Sequence, residues 1–136
     1  MQKAIQRLNA PDIDHLVAQK LANYRLGPSS VPIDHNRKAA VLVPLLKMDG
    51  EWHLLYIRRS ADVQDHKGQV AFPGGAVEPQ DEDAVAAAVR ESHEEIGRKP
   101  ENIRILGLMH GRNTITHYYI TPVVAVISWP FQIQLQ

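Results

Sequence analysis

Apolar positions fall along this chain in blocks of different period, and each block predicts an element. Ile5, Leu8, Ile13, Leu16, Val17 and Leu21 recur at loosely helical spacing, broken by Pro11. That predicts one or two short amphipathic helices up to about Arg25. Gly27 to Pro32 is a loop by composition. Ala39 to Leu46 (AAVLVPLL) is a nearly continuous apolar run and predicts a buried strand. Asp49-Gly50 is a hairpin signal, and His53 to Arg59 is the returning strand. Arg58 to Lys67 is polar and loop-like, and Gln69 to Phe72 predicts a short strand stopped by Pro73-Gly74-Gly75.

Asp81 is the expected N-cap of a helix, with Glu82 and Asp83 suiting the positive end of its dipole. Ala84 to Glu95 is Ala-rich and helical by propensity. Gly97 closes the helix and Pro100 prevents its resumption. Ile103 to His110 predicts a strand, Gly111 to Thr114 a turn, and His117 to Ile127 a mostly apolar strand. Strands around one central helix give an α+β class with mixed or antiparallel pairing.

Composition narrows the partners. Hydrophobic residues are 44% and charged residues 22% of the 136, as in one ordinary globular domain. Lys plus Arg and Asp plus Glu are 15 each, so a nucleic-acid partner held by bulk charge is not expected. Cysteine is absent, which excludes disulfides and thiolate metal sites. No apolar run approaches the roughly 20 residues of a membrane span, and the first residues do not read as a signal peptide. The expected location is the cytoplasm, with no membrane partner.

The stretch RESHEEIG (Arg90 to Gly97) packs three carboxylates into one helical turn. On a helical wheel Val85, Val89, Ser92 and Ile96 form the expected core stripe, while Glu91, Glu94 and Glu95 share another face. Like charges at that spacing repel, so folding does not ask for them. A solvated acidic face is the ordinary explanation. A hard divalent cation with oxygen ligands, Mg²⁺ or Mn²⁺, is the functional one. Gly74-Gly75 upstream would let bare backbone approach such an ion, and Arg90 could orient a carboxylate in a two-point contact.

From Gly75 to Gly97 the chain resembles the signature box of the Nudix hydrolases: Gly, five residues, Glu, seven residues, then Arg-Glu-apolar-any-Glu-Glu-any-Gly-apolar. Arg90-Glu91, Glu94-Glu95 and Gly97 match directly. Six residues separate Gly75 from Glu82, so Asp81 has the right distance from Gly75 and Glu82 the right distance from Arg90. Ser92 and Arg98 stand where the pattern is apolar; Ser92 is small enough to fit, and Arg98 is expected to point outward. The resemblance implies a mixed sheet sandwiched between helices (α/β/α), with residues 1–35 as a helical segment and loop ahead of a hydrolase domain over 36–136. It implies hydrolysis of a pyrophosphate joining a nucleoside to another group. By the same resemblance Gly75, Glu91, Glu94 and Glu95 hold Mg²⁺ or Mn²⁺. Arg90 positions these carboxylates with Asp81 or Glu82 as its partner, and Glu91 or Glu94 is the candidate base.

Leu54-Leu55, Arg59-Ser60, Gly68 and Phe72 to Gly75 also resemble a second signature, that of the coenzyme A pyrophosphatase branch. That implies a coenzyme A-like substrate met by Arg58, Arg59, His66, Lys67, Phe72 and Gly74. Gln64 replaces the arginine of that pattern. Other nucleotides, such as an oxidised nucleoside triphosphate or a nucleotide sugar, stay open, as does a nucleotide-binding or assembly protein without turnover. His110 and His117 flank the Gly111 to Thr116 turn and are candidates to face the substrate, whereas His93 should face solvent. No acid follows Glu101, where several members of the family place a further one. The chain also ends soon after Trp129-Pro130, where members of the family continue with another strand and a helix, so it is expected to be C-terminally truncated or to complete its core through a partner subunit, as a homodimer.

Overall fold

The computed structural model describes residues 2–8, 12–23, 31–58 and 69–135, the first segment by its backbone alone. Strand β1 (Gln2–Leu8) and helix α1 (Ile13–Ala22) precede the long strand β2 (Arg37–Met48) and its hairpin partner β3 (Glu51–Arg58). Two short strands follow, β4 (Val70–Ala71) and β5 (Gly74–Ala76), then helix α2 (Ala84–Ile96). Strands β6 (Ile103–Leu108), β7 (Arg112–Asn113) and β8 (Tyr118–Ile127) complete the fold. The main sheet runs β1-β3-β2-β8-β6, with β4 on β3, β5 on β2 and β7 on β8. Only β2 and β8 pair in parallel among these strands, so the sheet is mixed.

Each face of the sheet carries a helix. Leu42, Leu46, Leu55, Val123 and Ile127 pack with Ala87, Ala88 and Ile96 of α2. Leu45, Trp52 and Val124 pack on the other face with Ile13, Val17 and Leu21 of α1. Burial on both faces is why β2 reads as unbroken apolar sequence rather than alternating. Asp49 and Gly50 turn the β2–β3 hairpin with φ of 51° and 80°. Two left-handed residues in succession give the turn whose twist matches the strands.

The expected helix over the first residues is a strand instead: β1 pairs antiparallel with β3 from Gln2↔Arg58 to Leu8↔Trp52. Only the second half of the apolar pattern, after Pro11, is helical. Ladder hydrogen bonds to β3 outweigh a weak helical period.

Helix α2 is rotated slightly from the expected stripe. Ala87, Ala88, Ser92 and Ile96 are buried, Val85 packs against the core in part, and Val89 is only half-buried. Small alanines let the helix lie close to the sheet. Ser92 is fully buried and its Oγ has no hydrogen-bond partner among the described residues.

Arg98, expected to point outward, is 9% exposed. Its guanidinium sits 4.5 Å from the Phe131 ring centroid, and Trp129 meets Phe131 edge-on at 5.6 Å. The segment Trp129 to Gln134 folds back over the end of α2, where Gln134 N–H donates to Ile96 C=O at 3.1 Å. Burial pushes the Arg98 pKa down, and only Glu101 opposes it. Among the described residues no helix is long and apolar enough to cross a membrane.

Removing the orphaned hydroxyl should help folding. Ser92→Ala is expected to raise the unfolding free energy by about 1 kcal/mol, since an unmet buried hydroxyl costs roughly 1–3 kcal/mol. Chemical denaturation would show this as a higher midpoint with unchanged slope.

Candidate active site

The site starts at the loop between β5 and α2. Asp83, not the expected Asp81, caps the helix: its backbone is extended and its Oδ1 accepts from Ala86 N–H at 2.8 Å. Asp81 is thereby left to face Arg90. Arg90 Nε donates to Asp81 Oδ1 at 3.0 Å and Nη2 donates to Oδ2 at 2.9 Å, a two-point ion pair. Asp81 Oδ2 also accepts from Glu78 N–H at 2.8 Å. The Asp81 side chain is only 4% exposed. Glu82, the alternative partner by spacing, is exposed and makes no ion pair among the described residues. The hydrogen bonds from Arg90, then that from Glu78, hold the Asp81 carboxyl below the usual carboxylate range. Asp81 in turn raises the Arg90 pKa, with Glu91 and Glu94 adding to it.

Arg90 reaches further. Nη2 donates to Ala76 C=O at 3.1 Å, and Nη1 to Glu91 Oε1 at 3.1 Å and to both Glu94 oxygens at 3.3 Å. Glu91 lies directly over Gly75, where any added Cβ would collide with its carboxylate. Glu95 borders a cavity of about 410 Å³ with Phe72, Gly74 and Gly75. Glu94 is 56% exposed and lines a cleft on the other side of Glu95, with His93, Gly97 and Gln134.

Among the described residues, no three acidic or imidazole groups already converge on one metal position. The donor set nevertheless suits a hard cation. Every candidate ligand is an oxygen, and the bare Gly75 backbone lies against the Glu91 carboxylate. The Glu94 contacts to Arg90 are long and solvent-exposed, so that side chain can turn towards an ion at little cost.

Of the expected substrate contacts, Phe72 and Gly74 line the cavity, and Arg58 is exposed at the end of β3. Arg59, Gln64, His66 and Lys67 lie outside the described residues. His93 is exposed, as expected. His110 and His117 are not among the described residues lining the cavity; His117 instead tilts against His35 at 5.8 Å. Tyr118 and Ile120 occupy that wall, with Ile57 and Gln69. The motifs gave no sign of them, because their place follows from the β2–β8 register.

Comparison with known proteins identifies the family and supports the fold. The NUDIX domain model matches residues 36–133, and the chain belongs to that family. It is 42% identical over 104 residues to an uncharacterized Nudix hydrolase NudL of Pectobacterium atrosepticum, covering 76% of this chain and 54% of that protein. An Escherichia coli NudL, likewise uncharacterized, is 42% identical over 93 residues, covering 68% of this chain and 48% of that protein. The chain thus spans about half the length of the curated relatives it matches. Among solved structures, a C. elegans Ap4A hydrolase binary complex superposes with a TM-score of 0.62 at 26% identity, covering 72% and 71% of the two chains. The M. smegmatis Nudix hydrolase RenU gives 0.57 at 25%, covering 73% and 64%. Nudix hydrolases generally use divalent metal ions.

The low Asp81 pKa fixes a sign. Its ionised form stabilises the fold above its ordinary value of about 3.9, and that contribution fades as pH falls through the lower folded value. Asp81→Asn should therefore be less stable than wild type at neutral pH, with the gap closing below about pH 4. Urea midpoints measured from pH 7 downward would show two curves converging in acid.

Proposed function

We propose that this chain hydrolyses the pyrophosphate of a nucleoside diphosphate linked to another moiety, with coenzyme A or its thioesters as substrate. The products would be adenosine 3′,5′-bisphosphate and 4′-phosphopantetheine or its acylated form. The observation that carries the reading is the Glu91 carboxylate on bare Gly75, oriented by an Arg90 that Asp81 anchors. Mg²⁺ or Mn²⁺ held by Glu91, Glu94, Glu95 and the Gly75 carbonyl would supply charge neutralisation at the diphosphate and acidify a water.

The protein's own groups do the rest. Arg90 keeps Glu91 and Glu94 from splaying apart. Glu91 or Glu94 takes the proton of the attacking water. Arg58, Arg59, His66 and Lys67 supply cationic contacts to phosphate. Phe72 and Gly74 border the cavity where the substrate enters. The coenzyme A assignment is supported by Arg59-Ser60, Gly68 and Phe72 to Gly75. The reading takes residues 36–136 as the hydrolase domain, to which 1–35 add β1 and α1, working in the cytoplasm as a homodimer.

Two observations favour neighbouring readings. Likeness to an Ap4A hydrolase supports a nucleoside polyphosphate substrate. Arg90 occupying Glu91 and Glu94 supports nucleotide binding without turnover. A panel of coenzyme A, dinucleoside polyphosphates and nucleotide sugars, with products identified, separates the three.

Glu94→Gln and Glu95→Gln should each lower metal-dependent turnover by about 100-fold while leaving the fold intact, as when a charge-stabilising group is lost. Wild-type hydrolysis should require Mg²⁺ or Mn²⁺ and rise above neutral pH. Full activity of both variants, or activity in excess chelator, would remove the metal site from the mechanism.

Gln64→Arg restores the cation missing from the coenzyme A signature. A well-placed contact to phosphate is worth about 1.5–3 kcal/mol, or roughly 10- to 150-fold in specificity. The expected outcome is a higher ratio of kcat/KM for coenzyme A to that for 3′-dephospho-coenzyme A. An unchanged ratio means that position 64 does not meet the 3′-phosphate.

A further inference from the structure

The cavity beside Gly75 crosses the sheet, and this separates two kinds of wall. Strand β2 pairs with β3 over Leu45 to Met48, but with β5 over Ala39 to Val41. Between these registers β3 leaves β2 and carries β4 with it, through Ile57↔Ala71. The sheet therefore forks, with β3–β4 on one prong and β2–β5 on the other. The cavity lies in the fork, since it is lined by Ile57 and Ala71 from one prong and by Ala39, Val41, Gly75 and Ala76 from the other.

Its two ends lie on opposite faces. Glu95 belongs to α2, which covers the face of Leu42 and Val123. Tyr118 and Ile120 stand at even spacing from Val124 and Val126, which pack on the α1 side. Parallel pairing sets Ala39 beside Ile120 and so puts Ala39 and Val41 on that same face. The α1-side end is thus aromatic and aliphatic, whereas the α2-side end carries Glu95, with the Glu91 carboxylate against the lining Gly75.

Two aromatic rings, Phe72 and Tyr118, are among the described lining residues; Tyr118 lies at the α1-side end, and its backbone is held on both sides. Its N–H donates to Thr114 Oγ1 at 3.1 Å, and its C=O accepts from Thr114 N–H at 2.8 Å. The ring is half-buried, and the phenol makes no hydrogen bond among the described residues. A half-buried ring that shares the cavity wall with the small aliphatic side chains of Ala39, Val41 and Ile120 offers a stacking platform for a planar, polar-edged group.

We propose that the nucleobase of the substrate stacks on Tyr118 on the α1 face, while its diphosphate reaches through the fork to the carboxylates on the α2 face. This rests on the pyrophosphohydrolase reading and makes Tyr118 a specificity residue for the base. Alkyl diphosphates, which have no base, fill only the α2-side end.

The test is calorimetric titration of the full chain in Mg²⁺ with ADP and with an alkyl diphosphate. Tyr118→Ala should weaken ADP about 5- to 100-fold, the range for loss of one base–aromatic stack, with the alkyl diphosphate within about twofold of wild type. Tyr118→Phe should keep ADP affinity within about fivefold. Tyr118→Leu, which preserves bulk and guards against a misfolded alanine variant, should behave as Tyr118→Ala. Equal weakening of both probes, or of neither, overturns the stacking role and leaves the hydrolase reading standing. Binding of neither probe by wild type overturns both.

Discussion

The two-point pair between Arg90 and Asp81 is the constraint on which the site depends. An arginine beside three glutamates would by itself collapse onto whichever carboxylate it met first. Asp81 prevents this by taking Nε and Nη2, so that only Nη1 reaches Glu91 and Glu94. The bond from Nη2 to Ala76 C=O ties the same guanidinium to β5. One side chain thus fixes the distance between α2, the loop before it and the glycine strand. The loop is built to deliver the acid: Asp81 N–H donates to Glu78 C=O at 2.9 Å, and Glu78 N–H returns to Asp81 Oδ2. Such reciprocal turns are what Asp does well in irregular backbone.

How much of this was legible in the chain depended on how local each feature was. The β2–β3 hairpin could be read from two turn residues and the runs beside them, because both sit within one short stretch. The face carrying Glu91, Glu94 and Glu95 followed from helical spacing alone. Counting could not choose between Asp81 and Glu82, since one extra loop residue makes each correct from one end. The choice falls to the loop turn and to Asp83 taking over the cap, neither of which spacing encodes.

Features set by distant partners were not legible. β1 is a strand because β3 offers it an edge, and its own periodicity suggested a helix. Arg98 is buried because Phe131 folds back over it, a contact between residues far apart in sequence. Tyr118 and Ile120 line the cavity because β8 joins β2 in parallel at one particular register. The chemistry of the site is therefore written in one loop and one helix, while its shape is written across the whole sheet.

The bond from Gln134 N–H to Ile96 C=O bears on the electrostatics of α2. Glu94 and Glu95 stand in the last turn, at the negative end of the helix dipole, where carboxylates work against the helix. Their mutual repulsion adds to this, so the turn that presents Glu94 and Glu95 is also the one most inclined to fray. The left-handed Gly97 and the returning Gln134 satisfy the terminal carbonyls of His93 and Ile96, while Phe131 and Ile133 pack against the core beneath. The strain of gathering negative charge at a negative pole is thus relieved in part by residues outside the signature stretch, and the order of the turn carrying Glu94 and Glu95 is inherited from a neighbouring strap of chain.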